Sequence, residues 1–257
     1  MPAVNVVQAP EVEPFVSPSG LSVRVTLGPK TDFEPLLQAV LECEAGQRAG
    51  VTVPGDAEET LFVVEGEGRL HIRGETHALA PDIGIYLPPG SECELENTGE
   101  GTLRLIAVRV PDPSPGPPMP ASVSRLEEQD TQQATTEREF RIVADPATGL
   151  RSATHFVGYV PTARAPDHFH TYDEVIYVLD GEGRMEAGAF SQPVSAGSCI
   201  QLPARTVHCL SNSGSGPMRI VAVFRPAGSP AAAFYPDGTP AYQSNQDPYS
   251  RGGANRP

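Results

Sequence analysis

Residues His168 to Glu174 read HFHTYDE, and PARTVHCLSN follows from Pro203 to Asn212. In a strand, residues i and i+2 point to the same face. His168 and His170 can therefore aim two imidazoles at one point. A three-residue turn separates them from Glu174, and His208 arrives on a later strand. Three imidazoles and one carboxylate suit one divalent transition metal, whether iron, manganese, copper, nickel or zinc. Four such ligands leave two positions of an octahedron for a substrate or dioxygen. Three of the six histidines in the chain sit at these positions. Of the others, His155 lies on the strand before the motif and is a candidate pocket residue. His71 and His77 flank a turn and are expected to face solvent.

The elements that must position these residues come in two copies. EETLFVVEGEGRL, from Glu58 to Leu70, matches DEVIYVLDGEGRM, from Asp173 to Met185, at a shift of 115. The same shift carries Leu87-Pro88 onto Leu202-Pro203, Asn97 onto Asn212 and Pro111 onto Pro226. No gap is required from about residue 41 to residue 111. Each copy reads as short strands closed by Gly-Glu-Gly turns, which suggests a closed barrel or two-sheet jelly roll. Only Asp32 to Glu42 and Ser124 to Arg138 have room for a helical turn or two. The expected order is an N-terminal barrel over 15–112, a proline-rich connector over 113–135, a C-terminal barrel over 136–228 and a tail over 229–257. Phe234 and Tyr235 are apolar enough to anchor the tail, and the last dozen residues are expected to be disordered.

At this point the chain resembles the cupin superfamily, whose motifs are G(X)5HXH(X)3,4E(X)6G and G(X)5PXG(X)2H(X)3N. His168, His170, Glu174 and Gly181 fit the first, and Gly197, Pro203, His208 and Asn212 fit the second. Thr162 and Arg205 replace one glycine in each motif, both at turns. The resemblance implies an all-β protein of two tandem cupin barrels, with His168, His170, Glu174 and His208 as metal ligands. Glu174 is the one ligand also able to move a proton. Arg205 is a candidate cation at the barrel mouth, and Ile176 and Leu210 are candidate pocket walls, since both share alternation parity with ligands.

Shifted back by 115, His168 becomes Val53, His170 becomes Gly55 and His208 becomes Cys93; only Glu59 stands for Glu174. The first barrel is thus expected to keep the fold and to hold no metal.

The function expected is that of a metal-dependent enzyme acting on a small anionic organic substrate. A dioxygenase resembling quercetinase comes first, with dioxygen as co-substrate. The alternatives are a redox-neutral lyase, isomerase or aminohydrolase, or a metal-dependent binding protein. Ureidoglycine aminohydrolases resemble the layout but depart from it at the ligands. The formal charge of −14 makes nucleic acid and anionic membranes poor partners. No apolar run approaches the roughly 20 residues needed to span a bilayer. A cytoplasmic location follows as the expectation, with Cys43, Cys93, Cys199 and Cys209 as free thiols. Phe62 and Val64 in one copy, with Tyr177 and Leu179 in the other, fall on the outer parity. They are expected either to cover each other or, by preference, to form a homodimer.

Overall fold

The computed structural model describes residues 3–116, 119–135 and 137–242; the last dozen residues lie outside this range. The described chain is almost entirely antiparallel strand, with three short 3-10 turns. Its strands make two seven-stranded sheets, each facing a smaller one.

The first large sheet runs Ser122–Arg125, Ile83–Leu87, Ala57–Glu65, Leu103–Pro111, Leu37–Cys43, Ser22–Leu27 and Phe15–Val16. The smaller sheet opposite it comprises Arg48–Thr52, Glu92–Asn97, Gly68–Ile72 and Glu75–Leu79. The second large sheet runs Asn5–Gln8, Ser198–Leu202, Asp173–Asp180, Met218–Arg225, Thr154–Val160, Glu139–Ala144 and Gln132–Gln133. Phe190–Ser195, Glu182–Ala187 and Cys209–Asn212 face it.

The outermost strands are exchanged. Asn5–Gln8, at the N-terminal end, pairs with Ser198–Leu202 of the second barrel. Ser122–Arg125, in the stretch read from its prolines as a connector, pairs with Ile83–Leu87 of the first. Each barrel therefore borrows its last strand from the chain that precedes the other.

The helical expectation for Asp32–Glu42 is corrected. The 3-10 turn Pro29–Thr31 ends just before this stretch, and Leu37–Cys43 is a strand. The run is apolar on both faces because the strand is covered twice: Ala39 and Leu41 point into the first barrel's core, while Leu36 and Val40 join a cluster shared by both barrels. Periodicity cannot separate such a strand from a buried helix. Within Ser124–Arg138, Leu126–Glu128 makes one 3-10 turn between short strands.

Packing also corrects the picture of the outer faces. Phe62, Val108 and Val110 from one barrel and Val175, Tyr177 and Val223 from the other form one buried cluster, with Val64 and Leu179 at its edge. The two faces cover each other within a single chain, so they no longer argue for a homodimer. Polar links flank them. Glu58 accepts from the Tyr86 hydroxyl and from the backbone N–H groups of Arg151 and Ser152, across the boundary between barrels. All four cysteines are buried and free.

Strand register refines the internal repeat. Leu41 faces Leu105 in the first barrel, and Gly158 faces Ile220 in the second. Leu105 and Ile220 are 115 apart, but Leu41 and Gly158 are 117 apart. Likewise Cys93 faces Val51, whereas His208 faces His168. The shift is thus 117 up to Val53 and 115 from Glu59 onward, because the first barrel's loop between them is two residues longer. The repeat then reaches the exchanged strands, carrying Asn5–Gln8 onto Ser122–Arg125 and Ala9–Glu11 onto Leu126–Glu128.

Candidate metal centre

His168 and His208 face each other in an antiparallel bridge, exchanging backbone hydrogen bonds of 3.1 and 2.8 Å. His170 stands two residues along, on the same side. The three rings offer one nitrogen each, all within 4.8 Å of one another, and all three residues are buried. Every Nδ1 is already committed to a backbone carbonyl. His168 Nδ1 lies 3.0 Å from Pro166 O, His170 Nδ1 3.0 Å from Ala232 O, and His208 Nδ1 2.8 Å from Thr206 O. A carbonyl only accepts, so each proton sits on Nδ1 and each Nε2 keeps its lone pair for the shared point. That donor set fits a divalent metal ion.

Electrostatics point the same way. Burial pushes His168 down to about 4 and His170 to about 3, and holds His208 well below its ordinary range. All three are neutral imidazoles at pH 7, the ligating form. Glu174, on the strand Asp173–Asp180, lines the same cavity outside the 4.8 Å group. Burial pushes its carboxyl up to about 8, against the pull of the Arg138 guanidinium. A carboxylate in such a place is a strong acceptor for a cation.

The cavity has a volume of about 60 Å³, room for on the order of four to six waters. Its walls include Ile176 and Leu210, as expected, together with Phe140, Phe156, Ile220 and Phe224. Two expected pocket residues lie elsewhere. His155 points into the seam between the barrels, where Nδ1 meets Thr60 Oγ1 at 2.6 Å and the ring packs edge-on to Phe62. Thr60 in turn donates to Ile85 O. His155 faces the seam because the site and the seam lie on opposite faces of its strand. Arg205 is exposed at φ 63°, in the turn where the second motif has glycine, and its N–H donates to His170 O. It shapes the turn and does not line the cavity.

Sequence reasoning missed three contributors. Arg138 lines the cavity from the turn before Glu139–Ala144. Pro230 lines it from the tail, and Ala232 orients His170 through its carbonyl. Phe234 fastens this segment by a two-way backbone bridge to Phe169 and a ring stack at 5.5 Å, while Tyr235 is exposed. The 117 shift is the signal that would have found Arg138: it stands where the first barrel has Leu21.

The first barrel lacks this donor set. Register places Val51 and Val53, rather than Val53 and Gly55, opposite the two motif histidines, and both valines are core residues. Cys93 is buried beside them, its thiol pushed up to about 12 by burial first and by Glu59 second. Glu59 receives Arg109 Nε at 2.8 Å and Nη2 at 2.7 Å. Arg109 is the counterpart of Phe224, whose ring lies 5.2 Å from that of His170. A half-buried cation thus pairs with the surviving, buried carboxylate.

The family model for the cupin domain matches residues 40–109 and 155–224, and the chain belongs to that family. No curated protein matches it. Three solved structures share the fold at low identity. A protein from Pseudomonas aeruginosa described as glyoxylate-induced has a TM-score of 0.74 and 22% identity, over 87% of this chain and 89% of that one. Protein Ylba from E. coli has 0.73 and 14%, over 87% and 91%. Oxalate decarboxylase from Bacillus subtilis has 0.70 and 15%, over 86% and 76%. Among the described residues no helix is long and apolar enough to cross a membrane.

Proposed function

We propose that this two-barrel cupin is a metal-dependent enzyme acting on a small organic anion in its second barrel. The observation that carries the reading is the convergence of three buried imidazoles, each with Nδ1 capped by a carbonyl, in one small apolar-walled cavity. His168, His170 and His208 would hold the ion, with Glu174 as fourth ligand. Three neutral imidazoles and one carboxylate leave a divalent ion with about one net positive charge, so it attracts an anionic oxygen. Such an ion acts as a Lewis acid, and iron, manganese, copper or nickel also exchanges electrons with dioxygen.

The chain's own residues do the rest. The carbonyls of Pro166, Ala232 and Thr206 fix the ring tautomers. The phenyl and aliphatic walls lower the local polarity, which strengthens charge interactions beside them. Glu174, the carboxylate that lines the cavity, is the group placed to take up or release a proton.

Oxygen-dependent oxidation of a small acid is the first reading. The mainly apolar lining of the cavity suits a small organic substrate, and a quercetinase-like dioxygenation is the finer form of this reading. A redox-neutral cleavage is the second reading. Oxalate, a two-carbon acid, stands in the name of one structural neighbour and makes small acids the first substrates to try. The test is to reconstitute the full chain with each of the five metals and assay a panel of two- to four-carbon acids with and without air. Oxygen-dependent turnover supports the first reading. Equal turnover in its absence supports the second. No turnover with any metal overturns the enzyme.

A further inference from the structure

We propose that Arg138 is the specificity-determining residue of this site, holding the carboxylate of a small substrate between its guanidinium and the metal centre. The inference rests on the metal reading above and names the substrate class for that site.

Arg138 closes the loop of the hairpin joining Gln132–Gln133 to Glu139–Ala144, facing Ala134. Its side chain enters the cavity that Glu174 and the three histidines line. A guanidinium offers five N–H donors, yet its hydrogen bond within the described residues is a single one, from Nη2 to Leu210 O at 2.6 Å. None of the ion pairs among the described residues involves it. Arg138 is part-buried, and the donors that the protein leaves unused are open to water or to an anion entering the cavity. Glu174, which lines the same cavity, would be committed to the metal. The ligand that satisfies what remains is an anion with two coplanar oxygens, which a guanidinium receives as a fork. The mainly apolar walls suit an organic remainder of that molecule.

The first barrel supplies an internal control. The hairpin there has the same geometry: Ser17 N–H donates to Leu21 O as Ala134 N–H does to Arg138 O, and Gly20 takes a positive φ as Glu137 does. Where the metal ligands are gone, Arg138's place is taken by Leu21, packed in that barrel's core. The backbone therefore does not need arginine there. Arginine and the metal ligands occur together in one barrel and are absent together from the other.

The test uses the full chain loaded with cobalt(II). Binding is followed by the visible spectrum of the ion, with pyruvate, lactate and oxalate as probes, each paired with its neutral amide. Metal content is measured for every sample. The expected result is that Arg138→Gln keeps its cobalt, weakens carboxylate binding tenfold to a hundredfold, the contribution of a charge-assisted pair, and leaves amide binding unchanged. Arg138→Lys, which keeps the charge and loses the fork, is expected in between. Equal carboxylate affinity in wild type and Arg138→Gln overturns the proposal, as does a parallel loss of carboxylate and amide. Loss of fold in both variants assigns Arg138 a structural role and also overturns it. A wild-type chain that takes up no cobalt overturns the metal reading itself, which the metal content alone distinguishes.

Discussion

Replacing Arg109 with leucine strands the Glu59 carboxylate inside the first barrel, and the cost can be worked out. The Glu59 side chain is 5% exposed, and burial raises its proton affinity while Arg109 lowers it. Without Arg109 the carboxyl rises further and takes up a proton. That exchange sets a ceiling on the loss. Protonating at pH 7 a carboxyl that ionises near ~4.3 when unfolded costs at most about 3.7 kcal/mol. Arg109 is 35% exposed, so water already screens part of the pair; the expected loss is about 2–3 kcal/mol. The sign follows from proton counting. The folded variant holds a proton that the unfolded chain has lost, so its stability falls as pH rises above ~4.3. At pH 5 the ceiling is about 1 kcal/mol. The double variant Glu59→Leu/Arg109→Leu removes both charges and is expected to match or exceed wild type. Urea unfolding of the three proteins at pH 5 and pH 7 measures this. A penalty for Arg109→Leu that is equal at both pH values, or a double variant less stable than the single, refutes the reasoning.

Other outcomes follow from the seam and the tail. Burial pushes His155 down to about 3, so the unfolded chain binds a proton below ~6.5 that the folded one refuses. Stability is lost as pH falls from about 6.5 towards 3, by roughly 2 kcal/mol at pH 5, and a His155→Gln variant should show a correspondingly flatter pH profile in thermal melts. Ending the chain after Gly228 removes the carbonyl that orients His170. Metal affinity, measured by competition with a chelator, should drop roughly 10–100-fold. Cys93→Ser changes a residue that faces Val51 in the barrel without the three-histidine set, so metal content should be unchanged by elemental analysis.

The two-barrel fold and three converging ligands were legible because each rests on a local signal. Strand alternation puts His168 and His170 on one face, and the glycine-marked turns after Val64 and Leu179 recur at one spacing. What was hidden depends on pairing between distant segments. The exchanged strands Asn5–Gln8 and Ser122–Arg125 share no chemistry that the eye can align, and the loop before Glu59 breaks the shift by two residues. That break placed the lost ligand positions at Val53 and Gly55 instead of Val51 and Val53, and left Arg138 as the end of a stretch with room for a helical turn, with no link to the site. His155 was misplaced for a related reason. Alternation says which residues share a face, but with both faces buried it does not say which one meets the site and which the second barrel.

The central claim is that one metal centre sits in the second barrel, and elemental analysis of full-length protein purified without added metal tests it most directly. The account predicts about one transition-metal ion per chain, falling to background in His168→Ala/His170→Ala while the circular dichroism of the folded barrels persists. Two ions per chain, or metal retained in that variant, would contradict it.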